Sequence, residues 1–554
     1  MVVVIVHLTQ RSFSGSKKPP SKRIALPSSQ QFLDRNIVYS FIGLPTNDID
    51  TNSESLDSGQ TCGIDAIRQL TLVDDLDTGK NTWDRVMGTL PGISSHCPFK
   101  ERQRTCTKKE FVRGVYLNYT TKDGDPAYPA EMIDFAGLWH MADGRWSDDA
   151  ENFLAWEHYG SHRIEAVPAG SREAAGGAAF RIVTSDLGSL DVRPGFSRVG
   201  ADMFFNGAGE PTMIRTPDGQ DVWRAKAESA TWQYWKFVFR SSLFLKVTLV
   251  DHLWATHFTA ANSMAAAARE SLSPTHPLRR LLTMFTFNTI QVNSNAFHQL
   301  LGPDALLQRS TPFYDFREVS LLAEVAITPL TKSFGFFLDE TVRSAMPARV
   351  QETPYAQDGQ LIFDALQDFV ASWFDLYGGR WCSGGAVSDP AMLLFFERVQ
   401  AWSMYQQHAE VDASFLGLRD GDGGLQCAGL QKWLTMLFFQ VTGYHRHVGT
   451  VADSAADPDF AGFSWAEGRA YTPPRQAIQL SLISATTSTV WPKLNQDYTH
   501  LAQGIEKSAE AVQIFQTFRV KLEDIAKTID ARNKERPIPY MQMHPDHVEC
   551  SVAV

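Results

Sequence analysis

Residues 232–271 run for forty positions without a proline, dense in apolar side chains, until Ser273-Pro274 interrupts them. Proline is the strongest helix breaker, so this run predicts one long helical element, far longer than an average helix and buried in a core. Further apolar runs with helical character occupy 360–376, 390–407, 427–448, 475–490 and 508–530, and residues 148–158 also read as helical. Strand signals are few. Residues 178–183 read as one strand, and 203–214 as a strand, a Gly-rich turn and a second strand. No repeat of 20–50 residues is visible, which disfavours a solenoid. The pattern predicts a mainly α architecture, a single large helical domain over 131–554 with minor β elements. Residues 34–130, rich in Asp, Ser, Thr, Gly and Pro, show no clear period and no run of alternating strands; they read as irregular.

Composition narrows the function classes. Across 554 residues, 44% are hydrophobic and 20% charged, as in an ordinary globular protein, and 35 Phe with 14 Trp suit a large core or an apolar channel. The net charge of -11, with no long basic stretch, argues against a nucleic-acid surface. No stretch of about eighteen apolar residues predicts a transmembrane helix, leaving at most peripheral membrane contact. Residues 1–33 carry Arg11, Lys17, Lys18, Lys22 and Arg23 with no acid before Asp34. They read either as disordered or as an organelle transit segment. The six cysteines lack zinc-like spacing; Cys97 and Cys106 are near enough in sequence to pair, but the set reads as reduced, and the chain as cytoplasmic and monomeric.

Candidate chemistry sits in the histidines. His252 and His257 lie five apart in the long run, and on a regular α-helix they would diverge by about 140°. A π-helical turn would bring them one above the other, and such turns gather at functional sites. Alone, the spacing fits a satisfied structural pair better than a metal site. His445 and His447 follow the apolar run 434–441, as ligands or as a solvated helix end. The last residues, Ser551-Val552-Ala553-Val554 after Pro539-Tyr540 and Pro545, suggest a buried end whose carboxylate needs a cation or a metal beside it. Three neutral imidazoles with one oxygen anion suit Fe(II), Mn(II) or Zn(II) and leave a coordination position open.

Taken together, these residues resemble the lipoxygenases. Trp232-Gln233-Tyr234-Trp235-Lys236, Arg240-Ser241-Ser242, His252-x4-His257, Arg269 and His276-Pro277-Leu278-Arg279-Arg280-Leu281-Leu282 follow that family's central helix in order. Asp358-Gly359 with the run to Asp375-Leu376-Tyr377, then Asp389-Pro390, match later segments. The close, from Ala531-Arg532-Asn533-Lys534 through Pro539-Tyr540 to Val554, is similar to the family's C-terminus. The likeness covers roughly 200–554, and no N-terminal β-sandwich of the kind many eukaryotic members use at membranes is legible before it.

The resemblance implies one non-haem iron, with manganese as an alternative, on His252, His257, His445 and the carboxylate of Val554. It implies no catalytic residue beyond the metal centre. The substrates would be a polyunsaturated fatty acid and O2, and the product a conjugated hydroperoxide formed by oxidation at a bis-allylic methylene. Three positions depart from the family's pattern. Gly449 stands where a ligating Asn is common, Val247 where a neighbouring His usually lies, and Val554 replaces Ile. The alternatives are a hydroperoxide isomerase on the same fold, or a lipid-binding pseudoenzyme with an impaired metal site, which the first two departures favour. Ala296 falls at the position that goes with S products in the family.

Overall fold

The computed structural model describes residues 148, 153–301, 307, 310–314, 316–322, 330–402, 416–449, 462–468 and 492–552. The expected boundaries at residues 33 and 130, the helical run 475–490 and the end of the run at 390–407 lie outside them.

Five short strands form an antiparallel meander in sequence order: β1 (Glu165–Ala166), β2 (Phe180–Ile182), β3 (Asp202–Phe205), β4 (Pro211–Arg215) and β5 (Asp221–Trp223). The expected strand–turn–strand over 203–214 is the β3–β4 hairpin, with Met203 opposite Ile214. Its turn closes because the Asn206 carboxamide oxygen accepts from the amides of Ala208 and Glu210, both at 2.9 Å, and Gly209 takes φ +84°. The sheet is stapled to the helical body where Gly200 N–H donates to Ser242 Oγ at 2.9 Å.

The long apolar run is one continuous helix in three parts: α1 (Ser229–Leu245), a π-helical stretch π1 (Lys246–Ala261) and α2 (Asn262–Ser271). Every residue from 236 to 268 is buried. A helix surrounded on all sides needs no amphipathic stripe, which is why this one reads as an unbroken apolar run. After it come α3 (Pro277–Phe285), α4 (Thr289–Leu300), α5 (Pro354–Trp381), α6 (Pro390–Trp402), α7 (Cys427–Phe439) and α9 (Ser508–Glu535). The path from α7 continues through π2 (Gln440–Tyr444) into the short α8 (His445–Val448). α5 packs on both α7 and α9, and α2 on α6. Its start is set by Thr353, whose hydroxyl accepts from Ala356 N–H, and by Pro354 in the first turn.

The cysteines correct one expectation. Cys382 and Cys427 form a disulfide across 45 residues, so the set is not wholly reduced. The hairpin of β6 (Cys382–Ser383) and β7 (Ala386–Val387) carries Cys382 to the start of α7, where Val387 N–H donates to Leu425 O at 2.7 Å and Cys427 N–H to Gly385 O at 2.9 Å. Spacing alone hid this pair, because the hairpin and not the sequence brings it together. Cys97 and Cys106 lie outside the described residues.

Candidate metal centre

His252 and His257 both project from π1, where the wider i→i+5 turn stacks residues five apart. Their Nε2 atoms are 3.1 Å apart. π1 accommodates its displaced carbonyls through hydroxyls at the same spacing: Thr256 donates to Asp251 O at 2.8 Å, and Thr259 to Trp254 O at 2.7 Å. His445 arrives from the second helix immediately after π2, and its Nε2 lies 3.0 Å from those of both His252 and His257. The two π segments touch directly, as Gln440 Nε2 donates to Ala255 O at 3.3 Å. The three imidazoles are 9%, 1% and 3% exposed in the order 252, 257, 445, so water does not separate them.

The chemistry of this triangle favours a cation at its centre. An ion about 2.1 Å from each nitrogen, the usual metal–imidazole distance, would subtend N–metal–N angles of about 90–95° at these separations. Tetrahedral ligands at that distance stand about 3.4 Å apart and octahedral neighbours about 3.0 Å, so the set matches a face of an octahedron. The protonation states agree. Burial pushes His257 down to about 4, and burial with the neighbouring imidazoles pushes His252 and His445 well below the ordinary range. All three are neutral near pH 7, as ligands must be.

The tautomer of His257 follows from Asn293 on α4. The Asn293 amide nitrogen donates to the His257 backbone carbonyl at 2.8 Å, which turns its oxygen toward His257 Nδ1, also at 2.8 Å. A carbonyl oxygen only accepts, so the proton sits on Nδ1 and the Nε2 lone pair faces the cluster. His445 Nδ1 finds no partner among the described residues.

The departures from the expected pattern occupy defined places. Gly449 borders the cluster: a Cβ built there would sit 3.0 Å from His252 Nε2, and the residue offers no donor of its own. Val247 is buried among the apolar residues of the core. Ala296 is buried on α4, one helical turn after Asn293. Val554 lies outside the described residues. The segment leading toward it is buried from Val548 to Val552, including the polar and paired Glu549 and Ser551. Lys493 Nζ donates to Glu549 at 2.7 Å and Ser551 Oγ to Phe287 O at 2.8 Å. His447, the other histidine of the second pair, points away from the triangle, toward His162 at 3.0 Å and Tyr540 at 2.8 Å. Asn293, Gln440 and His162 were not singled out from the sequence for these contacts; each is far along the chain from its partner, with no spacing pattern to reveal it.

Among the described residues this is the one group of three or more His, Cys, Asp or Glu side chains placed to hold a metal ion. No helix among them is long and apolar enough to cross a membrane. No protein-family model matches the chain. Individual curated proteins do. The hydroperoxide isomerase ALOXE3 of Rattus norvegicus is 26% identical over 350 residues, covering 58% of this chain and 46% of that protein. The polyunsaturated fatty acid lipoxygenase ALOX15B of Homo sapiens is 25% identical over 368 residues, covering 63% and 50%. The chain thus spans about half the length of these relatives. An anaerobic lipoxygenase crystal structure in complex with arachidonate superposes with a TM-score of 0.61 at 16% identity, over 82% of this chain and 74% of that one. The mainly α fold expected from the sequence is the fold of that structure.

Proposed function

We propose that this chain is a member of the lipoxygenase family and a non-haem iron dioxygenase of polyunsaturated fatty acids, with residues 131–554 as its catalytic unit. His252, His257 and His445 would hold the iron through Nε2, with the carboxylate of Val554 as a fourth ligand. When bound, the iron supplies one-electron redox chemistry at a bis-allylic methylene, opening it to dioxygen. The chain's own residues prepare the site. Burial keeps the imidazoles neutral, and Asn293 holds the Nδ1 proton of His257 so that its other nitrogen is free to ligate. Leu253, Trp254 and Phe258 are buried apolar residues of the same π-helical segment that carries His252 and His257.

One observation carries the reading: three buried imidazole nitrogens from two helices converge within 3.1 Å of one another. A second reading, hydroperoxide isomerisation, is favoured by the relative that bears that name. The iron-loaded protein given linoleate or arachidonate in air is expected to produce a rising ultraviolet absorbance from a conjugated diene. Ala296 predicts the S product on chiral analysis. Consumption of added fatty-acid hydroperoxide without diene formation would establish the isomerase instead. A protein that binds fatty acids and converts neither substrate would overturn both readings.

A further inference from the structure

Beside the triangle runs a second chain of buried polar groups. Asp251, immediately before His252, accepts from Arg163 Nε at 2.7 Å, from Arg163 Nη2, and from His162 Nε2 at 2.9 Å. His162 Nδ1 meets His447 Nε2 at 3.0 Å, and His447 Nδ1 meets the Tyr540 hydroxyl at 2.8 Å. Asp251, His447 and Tyr540 are 3%, 0% and 2% exposed. Aromatic rings enclose the chain: Tyr355 stacks on His447 at 4.3 Å between centroids, and Tyr444 meets His162 edge-on at 5.3 Å.

The direction of these bonds follows from their ends. An ionised carboxylate facing Arg163 only accepts, so His162 carries its proton on Nε2. The His162 Nδ1 lone pair then accepts from His447 Nε2–H, and His447 Nδ1 accepts from Tyr540 O–H. Each of these donors meets an acceptor, which is the condition for polar groups to be buried without penalty.

We propose that the Asp251–His162–His447–Tyr540 chain is a positioning brace, which fixes the spacing of the two ligand-bearing helices and hence the geometry of the His252, His257 and His445 triangle. His162 is its keystone. It stands on a separate short turn (Ser161–Arg163) and reaches one residue before His252 on one helix and two residues after His445 on the other. None of the four is placed to ligate, so the brace acts through the imidazoles it positions. A partner one shell out from a ligand commonly changes metal affinity by about 10–100-fold. This inference rests on the metal-site reading above.

The test titrates cobalt(II) into the metal-free full-length protein and follows the visible d–d bands, which report coordination geometry. His162→Phe keeps the ring volume and removes both hydrogen bonds. It is expected to bind cobalt about 10–100-fold more weakly, with shifted bands. His162→Gln offers an N–H to Asp251 and a carbonyl to His447, and should recover most of the affinity and the original bands. A folded His162→Phe with the affinity and bands of the parent overturns the brace, as does a His162→Gln no better than His162→Phe. Should His162→Phe fail to fold, Tyr540→Phe decides the matter: a smaller change in the same direction supports the brace, and none overturns it. His257→Ala separates the two failures. If it binds cobalt like the parent, the metal-site reading falls and the brace with it; if it loses cobalt while His162→Phe keeps it, the brace alone falls.

Discussion

A single amide decides which nitrogen of His257 faces the cluster, because Asn293 anchors itself to the backbone of the residue whose ring it orients. Gly449 acts through what it lacks. It sits against His252 with no side chain, and any Cβ there would come within 3.0 Å of Nε2 and 3.3 Å of Cδ2. Gly449→Ala is therefore expected to push the His252 ring off its place. Overpacking of this kind costs about 1–3 kcal/mol, and even about 1.4 kcal/mol taken from metal binding is a tenfold loss. Competition with a chelator would measure it, and an unchanged affinity would remove Gly449 from the edge of the site. Residues of this kind divide by legibility. His252 and His257 announce themselves by spacing; Asn293 lies 36 residues from the ring it holds, and nothing local marks it.

Both ligand-bearing helices leave α-geometry where they meet. The five-residue spacing of His252 and His257 asks for a π turn, and π1 supplies one over 16 residues. π2 could not be read in the same way, since His445 is the one imidazole of the triangle on its helix and a single residue has no spacing. The disulfide shows the same limit. It pins α7, the helix leading to His445, to the hairpin that follows α5. Cys427→Ser is expected to lower global stability by about 2–4 kcal/mol, the usual worth of a bridge closing a loop of this length. Denaturant unfolding with and without reductant would measure this. Equal midpoints in oxidised and reduced protein would mean that the bridge adds nothing.

Across the whole molecule, the helical body was legible because its central helix is buried on all sides and so reads as one apolar run. The small sheet was only partly so: β2 and the β3–β4 hairpin had strand signals, whereas β1 and β5 are two and three residues long and are defined by pairing with neighbours. The site was legible as a set of ligand types and illegible as a supported structure, since Asn293, Gln440 and His162 reach it from distant segments. What joins these scales is the claim that the triangle exists to hold iron. Elemental analysis of the purified protein and of His257→Ala tests it most directly. About one iron per parent chain, and almost none in a folded His257→Ala, is the predicted result, because two imidazoles leave too few ligands. Equal iron in both proteins, or none in a folded parent supplied with ferrous iron, would contradict it.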